Sequence, residues 1–267
     1  MLLFRHRDFP RNHLEVVAHP GNSPLRWEWF ARLTLERGHF FSGALEQEEA
    51  VILVLKGKVR LFEDEVLLGE TETRNNPFRD PAWTFYLAPQ TKYRIEALQE
   101  STLLVVTAFA QKPGSSILIP PERIKVKVVG EGSFERVVHT IVGEDFPAER
   151  LLVGETFNQP GFWSSYPPHR HEENRPPEEY FLEEVYHYQV EPEEGFGVQV
   201  FYTADRMFEE AYLVRHGDTF VIPRGYHPVV AAPGYRLYYF WALAGATRVL
   251  RPYDDPVHRS IKAEKRA

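Results

Sequence analysis

Residues 163–188 read WSSYPPHRHEENRPPEEYFLEEVYHY, and the rest of the chain is interpreted from this stretch outward. His169 and His171 stand one residue apart, and in an extended strand residues i and i+2 project to the same face. Both imidazoles can therefore converge on one point while Arg170 faces away. A Pro- and Glu-rich loop follows. In the next segment Glu184, Tyr186 and Tyr188 share one face, and Glu183, Val185 and His187 share the other. A hairpin between the two segments would set Glu184 beside the histidines. His227 follows a turn marked by Pro223 and Gly225 and would enter from a third strand. Three neutral imidazoles and one carboxylate make a donor set for Zn²⁺, Mn²⁺, Fe²⁺, Co²⁺ or Ni²⁺. Histidines at this spacing also occur as ordinary core or surface residues; Glu184 and His227 are what turn the reading toward a metal site.

The surroundings predict a mainly β protein. Short runs rich in Val, Leu, Tyr and Phe, such as AVILVLKGKVRLF (50–62), STLLVVTAFA (101–110), FGVQVFYT (196–203) and YRLYYFWALAG (235–245), alternate with Gly, Pro, Asn and Asp. That punctuation is expected of sandwiches and barrels, and apolar residues at helical spacing are scarce. The two halves echo each other. EEAVILVLKGKVRLF from Glu48 matches EEVYHYQVEPEEGFGVQVF from Glu183, and LAPQTKY (87–93) matches VIPRGYH (221–227). Two copies of one β unit are expected, with the Pro120–Pro121 pair as their junction: an N-terminal domain of residues 1–120 and a C-terminal domain of residues 121–267. The copies differ chemically, since the first has no His-x-His and carries Tyr93 where the second has His227.

Composition narrows the function classes. The chain is 43% hydrophobic and 26% charged, which fits a globular protein and not a disordered one. Its net charge is −7, from 31 basic and 38 acidic residues interspersed along the chain, so nucleic acid is not expected as a partner. The basic tail HRSIKAEKRA is too short to change that. Cysteine is absent, which removes disulfides, thiolate ligands and thiol nucleophiles. The segment MLLFRHRDFPRNH lacks the apolar core of a signal peptide, and no apolar run is long enough to span a membrane. A cytoplasmic protein with no membrane partner is expected. Two Met, no Cys and 21 Pro would also suit a heat-stable protein.

The His-x-His pair, the later Glu, and Gly217 followed by Pro223 and a terminal His resemble the cupin metal motif. Twelve residues separate His171 from Glu184, a longer loop than cupins usually have, and one residue in place of two separates Gly225 from His227. A narrower resemblance is carried by WSSYPPHRH, EEVYHY, GFGVQVFYT, PRGYHPVVAAPGY and LYYFWALAG, in order through residues 150–245, with LLVGETF and DDPVH as further features. These are similar to the 5-deoxy-glucuronate isomerase family of bacterial inositol catabolism, itself related to the isomerase of 4-deoxy-5-keto-uronates in pectin breakdown. The resemblance implies two tandem cupin, jelly-roll-like barrels, with one divalent ion per chain, Zn²⁺ first among the candidates, in the C-terminal one. By motif position it assigns the ligands to His169, His171, Glu184 and His227.

The resemblance also implies the substrate, 5-deoxy-D-glucuronate, and the product, 5-dehydro-2-deoxy-D-gluconate. Such an aldose–ketose isomerisation moves one hydrogen between neighbouring carbons. A divalent ion would polarise the carbonyl, and either proton transfer by a base or a hydride shift gives the same product. Glu184 is the candidate carboxylate for catalysis and Tyr186 the candidate donor to a developing oxyanion. Gln199, polar within an apolar strand, is expected to face the cavity. A substrate carboxylate calls for Arg; Arg224, in the turn before His227, is the first choice and Arg170 the second. His187, His216 and His258 are expected to be structural or exposed. Two rival readings remain at this stage: an iron-dependent cupin oxygenase with the same ligands, and a non-enzymatic sugar-binding bicupin. Sheet edges in need of cover make a homo-oligomer expected.

Overall fold

The computed structural model describes residues 1–262; the last five residues of the basic tail lie outside the described residues. The Val-, Leu- and Tyr-rich runs are strands. Among the described residues there is no α-helix, only single 3₁₀ turns such as Pro121–Arg123 and Gly132–Phe134. No helix is long and apolar enough to cross a membrane.

The chain divides into two compact units. One holds Arg7–Lys125 and Thr140–Val153, the other Met1–His6, Val126–His139 and Gly154–Ala267. This corrects the expected break between residues 120 and 121. Leu3 and Phe4 pair antiparallel with Phe220 and Thr219, and Arg5 binds Asp218 at 2.7 Å, so the N-terminus belongs with the C-terminal unit. In the other direction, the buried Glu49 carboxylate accepts the backbone N–H groups of Glu149, Arg150 and Leu151, which draws that segment into the first unit. The proline pair does end the strand Ile117–Ile119. The division, however, is set by tertiary pairing that no local signal announces.

In the first unit a six-stranded sheet centred on Glu48–Lys56 and Ser101–Phe109 accompanies a four-stranded sheet of Phe40–Ala44, Lys92–Ala97, Val59–Glu63 and Val66–Glu70. Period-2 alternation fixes which side chains are covered. Along Lys92–Ala97, for example, Tyr93, Ile95 and Ala97 are buried between more exposed neighbours. Ile52, Leu61, Phe85, Ile95 and Leu103 form the apolar core. The other unit builds on Glu183–Glu191, flanked by Thr219–Ile222 and Arg236–Ala244, and on a second sheet of Trp163–Ser164, Val229–Ala231, Phe196–Tyr202 and Glu209–Arg215.

The repeat read from sequence holds strand by strand. Ala50 pairs with Leu87 on one side and Thr107 on the other; Val185 pairs with Val221 and Ala242 in the same pattern. The residues just before them, Glu49 and Glu184, therefore occupy corresponding positions. Gly154 in LLVGETF has a packing reason: a Cβ there would lie 2.2 Å from the Trp241 ring and 2.3 Å from the His139 carbonyl oxygen.

Candidate metal centre

His169 begins a two-residue strand, His169–Arg170, that pairs with Tyr253–Asp254. His227 is delivered by a turn in which Gly225 adopts φ +81°, a left-handed conformation open to glycine. The ligand atoms of His169, His171 and His227 all lie within 4.8 Å of one another. Glu184 completes the group, its Oε2 3.1 Å from His171 Nε2 and 3.3 Å from His227 Nε2.

Second-row hydrogen bonds set the tautomers. Carbonyl oxygens can only accept, so Nδ1–H of His171 donates to Leu182 and Nδ1–H of His227 donates to Gly225. His227 Nε2 is then left with its lone pair facing the interior, the usual arrangement behind a metal-binding imidazole. His171 Nε2 meets Glu184; burial lowers the His171 pKa, but the hydrogen bond and charge of Glu184 outweigh it and leave the pKa raised. A nitrogen lone pair and a carboxylate oxygen converging in this way repel one another unless a proton, such as that shared between His171 and Glu184, or a cation lies among them. Among the described residues His227 Nε2 is buried with no hydrogen-bond partner, an orphaned acceptor of the kind that suits a divalent ion. Burial, reinforced by His171, pushes the His227 pKa down to about 3, which keeps it neutral and able to ligate. Burial also raises the Glu184 carboxyl, with His171 opposing the shift.

The alternation of Glu183–Glu191 places Glu184, Tyr186 and Tyr188 as expected. The Tyr186 hydroxyl lies 3.0 Å from Ser165 Oγ, and its ring stands 6.0 Å from that of His227. Burial raises the pKa of Tyr186 well above its ordinary value, so its hydroxyl stays protonated. The long loop after His171 is not loose. Arg175 and Glu179 form an isolated bridge. The fully buried Glu179 carboxylate accepts N–H groups from Glu172 at 2.8 Å and Glu173 at 3.1 Å, together with Arg175 at 2.6 Å.

Two of the three proposed substrate contacts are committed to partners within the protein. Arg170 does face away from the histidines, but Glu173 and Glu179 hold its guanidinium, which also lies over the rings of Tyr226 and Tyr253. Its ion pairs occupy it as a brace for the loop. Gln199 accepts from Tyr188 and donates to the carbonyls of His227 at 2.9 Å and Pro228 at 3.2 Å. This buried polar residue in an apolar strand supports the backbone at His227. Arg224 is exposed, and its charge acts on Asp205. Sequence reasoning did not single out Arg136, which lines a cleft next to the histidines. A cleft of 430 Å³ opens beside His169, lined also by Arg136, Glu131, Phe134, Tyr166 and Asp254. The only signal in the sequence was a cation at the head of a β run, far from the histidines.

The KduI/IolB family model matches residues 2–261. A 5-deoxy-glucuronate isomerase of Geobacillus thermodenitrificans is 36% identical over 244 residues, covering 90% of this chain and 89% of the relative. The crystal structure of an IolB-like protein from Salmonella typhimurium superposes with a TM-score of 0.92 at 28% identity, covering 98% of this chain and 99% of that one. Oxalate decarboxylase from Bacillus subtilis shares the fold alone, with a TM-score of 0.65 at 12% identity over 93% of this chain and 78% of its own. The mainly β, cupin-type architecture expected from the motifs is the one found. With a family model spanning nearly the whole sequence and a relative this similar over nine-tenths of it, the protein belongs to the KduI/IolB family.

Proposed function

We propose that the protein is a 5-deoxy-glucuronate isomerase, an intramolecular oxidoreductase that converts 5-deoxy-D-glucuronate to 5-dehydro-2-deoxy-D-gluconate in myo-inositol catabolism. One observation carries the chemical half of this reading: three buried or half-buried imidazoles and the Glu184 carboxylate converge with their acceptor atoms facing one another. The 36% identity to an isomerase of that name supports the substrate.

His169, His171, His227 and Glu184 would hold one divalent ion, with Zn²⁺ the first candidate for three imidazoles and a carboxylate. When bound, it would supply Lewis acidity that polarises the sugar's carbonyl. The Leu182 and Gly225 carbonyls keep His171 and His227 in the ligating tautomer. Tyr186, held protonated and next to Glu184, is placed to donate to an oxygen gaining negative charge. Glu184, beside His171 and His227, would be the carboxylate available to the reacting carbons. The hydrogen lost from C2 arrives at C1, so no external oxidant or reductant is consumed.

The chain would act as a homo-oligomer. Its edge strand Lys125–Val129 leaves Val126 and Val128 exposed at 57% and 64%, and a second copy would cover them. Light scattering on the purified protein reads this directly.

The isomerase reading is tested by anaerobic incubation with 5-deoxy-glucuronate in D₂O, followed by NMR. Ketose from metal-loaded but not chelated protein is expected, and solvent deuterium at the new CH₂OH carbon would identify transfer through a base. A metal-loaded protein that makes no ketose refutes the assignment.

A further inference from the structure

The cleft beside His169 lies within one unit and contains one arginine, Arg136, with two acidic side chains, Glu131 and Asp254. Arg136 is partly buried. One amino group, Nη1, donates to the carbonyls of Phe134 at 3.2 Å and Tyr166 at 3.4 Å, which fixes the plane of the guanidinium. No carboxylate among the described residues forms an ion pair with it, in contrast to Arg170 and Arg175, which are committed to Glu179. Its charge is also felt at the buried Tyr239 hydroxyl, where burial raises the pKa and Arg136 opposes the shift. Tyr239 packs 4.4 Å from the Tyr186 ring, so the guanidinium stands close to the interior that holds Glu184.

We propose that Arg136 binds the substrate's carboxylate and orients the sugar so that its aldehyde end reaches the histidines. The proposal rests on the isomerase reading and deepens it. A guanidinium anchored through one edge presents the other edge to an anion, the geometry suited to bidentate carboxylate recognition. His169 belongs to both the cleft and the histidine cluster. An open-chain acid that enters carboxylate-outward therefore has its cationic anchor in the cleft and its aldehyde end toward the imidazoles. The walls match the rest of the molecule. Phe134, Pro167 and Pro252 line the cleft with apolar side chains, which suit the methylene that this substrate carries at C5.

The test is steady-state kinetics of metal-loaded wild type, Arg136→Gln and Arg136→Lys, with 5-deoxy-glucuronate and with 5-deoxy-glucose, in which a neutral CH₂OH replaces the carboxylate. For Arg136→Gln, KM for the uronate should rise at least ten-fold while kcat stays within about three-fold, the pattern of lost uniform binding. KM for the neutral sugar should not change, and Arg136→Lys should recover part of the loss. Equal losses on both sugars, or wild-type KM on both, would overturn the proposal; metal content and melting temperature report any general damage. Calorimetric binding of the uronate separates this from the function. A wild type that binds but does not turn over the uronate, with binding lost in Arg136→Gln, would end the isomerase reading and keep the anchor. A wild type that does not bind it would end both.

Discussion

Glu179 is the residue on which the long loop of the metal site depends, and its removal can be worked through from the structure. The carboxylate is fully buried and each oxygen has its own task. Oε1 takes the N–H groups of Glu172 and Glu173, directly after the His-x-His pair; Oε2 takes Arg170 at 3.3 Å and Arg175 at 2.6 Å. Hydrogen bonds to a charged group contribute about 1.5–3 kcal/mol each. In Glu179→Gln the amide oxygen can keep the two backbone bonds, and the two guanidinium contacts are lost. Both arginines retain Glu173, which limits the cost to about 2 kcal/mol, below the full value of two such bonds. In Glu179→Ala everything is lost, and water reaches only the more exposed of the freed groups, so roughly 4 kcal/mol is expected. For a domain of this size that corresponds to a fall in Tm of roughly 10 °C. Arg170 sits between the two ligating histidines, so loss of its brace should also weaken metal binding by about ten-fold or more, as for other residues that orient ligands. Thermal melts with and without metal, and competition against a chelator, measure both effects. The pH dependence has a definite sign. Burial raises the Glu179 carboxyl, but Arg175 and the two N–H groups outweigh it and leave it below the ordinary 4.5. Its stabilisation is therefore fully present above pH 4.5 and is lost as pH falls through the lowered folded value. The gap between wild type and Glu179→Gln should close only in that acid window. A Glu179→Ala protein with wild-type Tm and wild-type metal affinity would refute the reasoning.

Three further outcomes are expected. Glu49→Gln should lower stability by about 2–4 kcal/mol, because an amide cannot accept all the donors that meet the carboxylate; the metal content should stay the same, and lost metal at unchanged Tm would contradict this. Gln199→Leu leaves the His227 and Pro228 carbonyls without its amide, so metal affinity should fall while KM for the uronate at saturating metal is unchanged; a raised KM with intact affinity would restore Gln199 as a substrate contact. Gly154→Ala forces a methyl against the Trp241 ring and a backbone oxygen, an overpacking penalty of roughly 3 kcal/mol, read as a lower Tm.

What the sequence made legible was whatever depends on local period. Alternation alone puts Glu184, Tyr186 and Tyr188 on one face and His169 and His171 on another, and both hold in the fold. What it left hidden depends on partners distant in the chain. Arg170 and Gln199 are polar residues near the motif, as a ligand contact would be, but their partners, Glu179 and the carbonyls after Tyr226, come into reach only once the loop and the third strand are folded. Arg136 is hidden for the converse reason, since nothing near it in sequence connects it to His169. The domain boundary is hidden because two residues, Leu3 and Phe4, find their strand partners more than two hundred residues away.

The repeat gives the clearest account of why only one half of the chain has a metal-binding arrangement. Both copies bury a carboxylate at the same register position, and a buried charge is costly unless donors or an opposite charge meet it. The first copy solves this with hydrogen bonds. Glu49 Oε1 takes the N–H groups of Arg150 and Leu151, and Oε2 takes Glu149 N–H at 2.7 Å and the Tyr86 hydroxyl at 2.8 Å. Each oxygen thus has two donors, and neither has a lone pair directed at open space. Tyr93, at the position of His227, packs into the apolar core in place of an imidazole. In the second copy no such backbone strap reaches Glu184; the Tyr186 hydroxyl donates to it, and its other neighbours are the Nε2 atoms of His171 and His227, the latter an acceptor in the tautomer that its carbonyl partner dictates. Donors satisfy the first carboxylate, whereas the second requires a proton or a cation among its neighbours. The same fold position therefore supports structure in one half and, on the proposed reading, would help hold a divalent ion in the other.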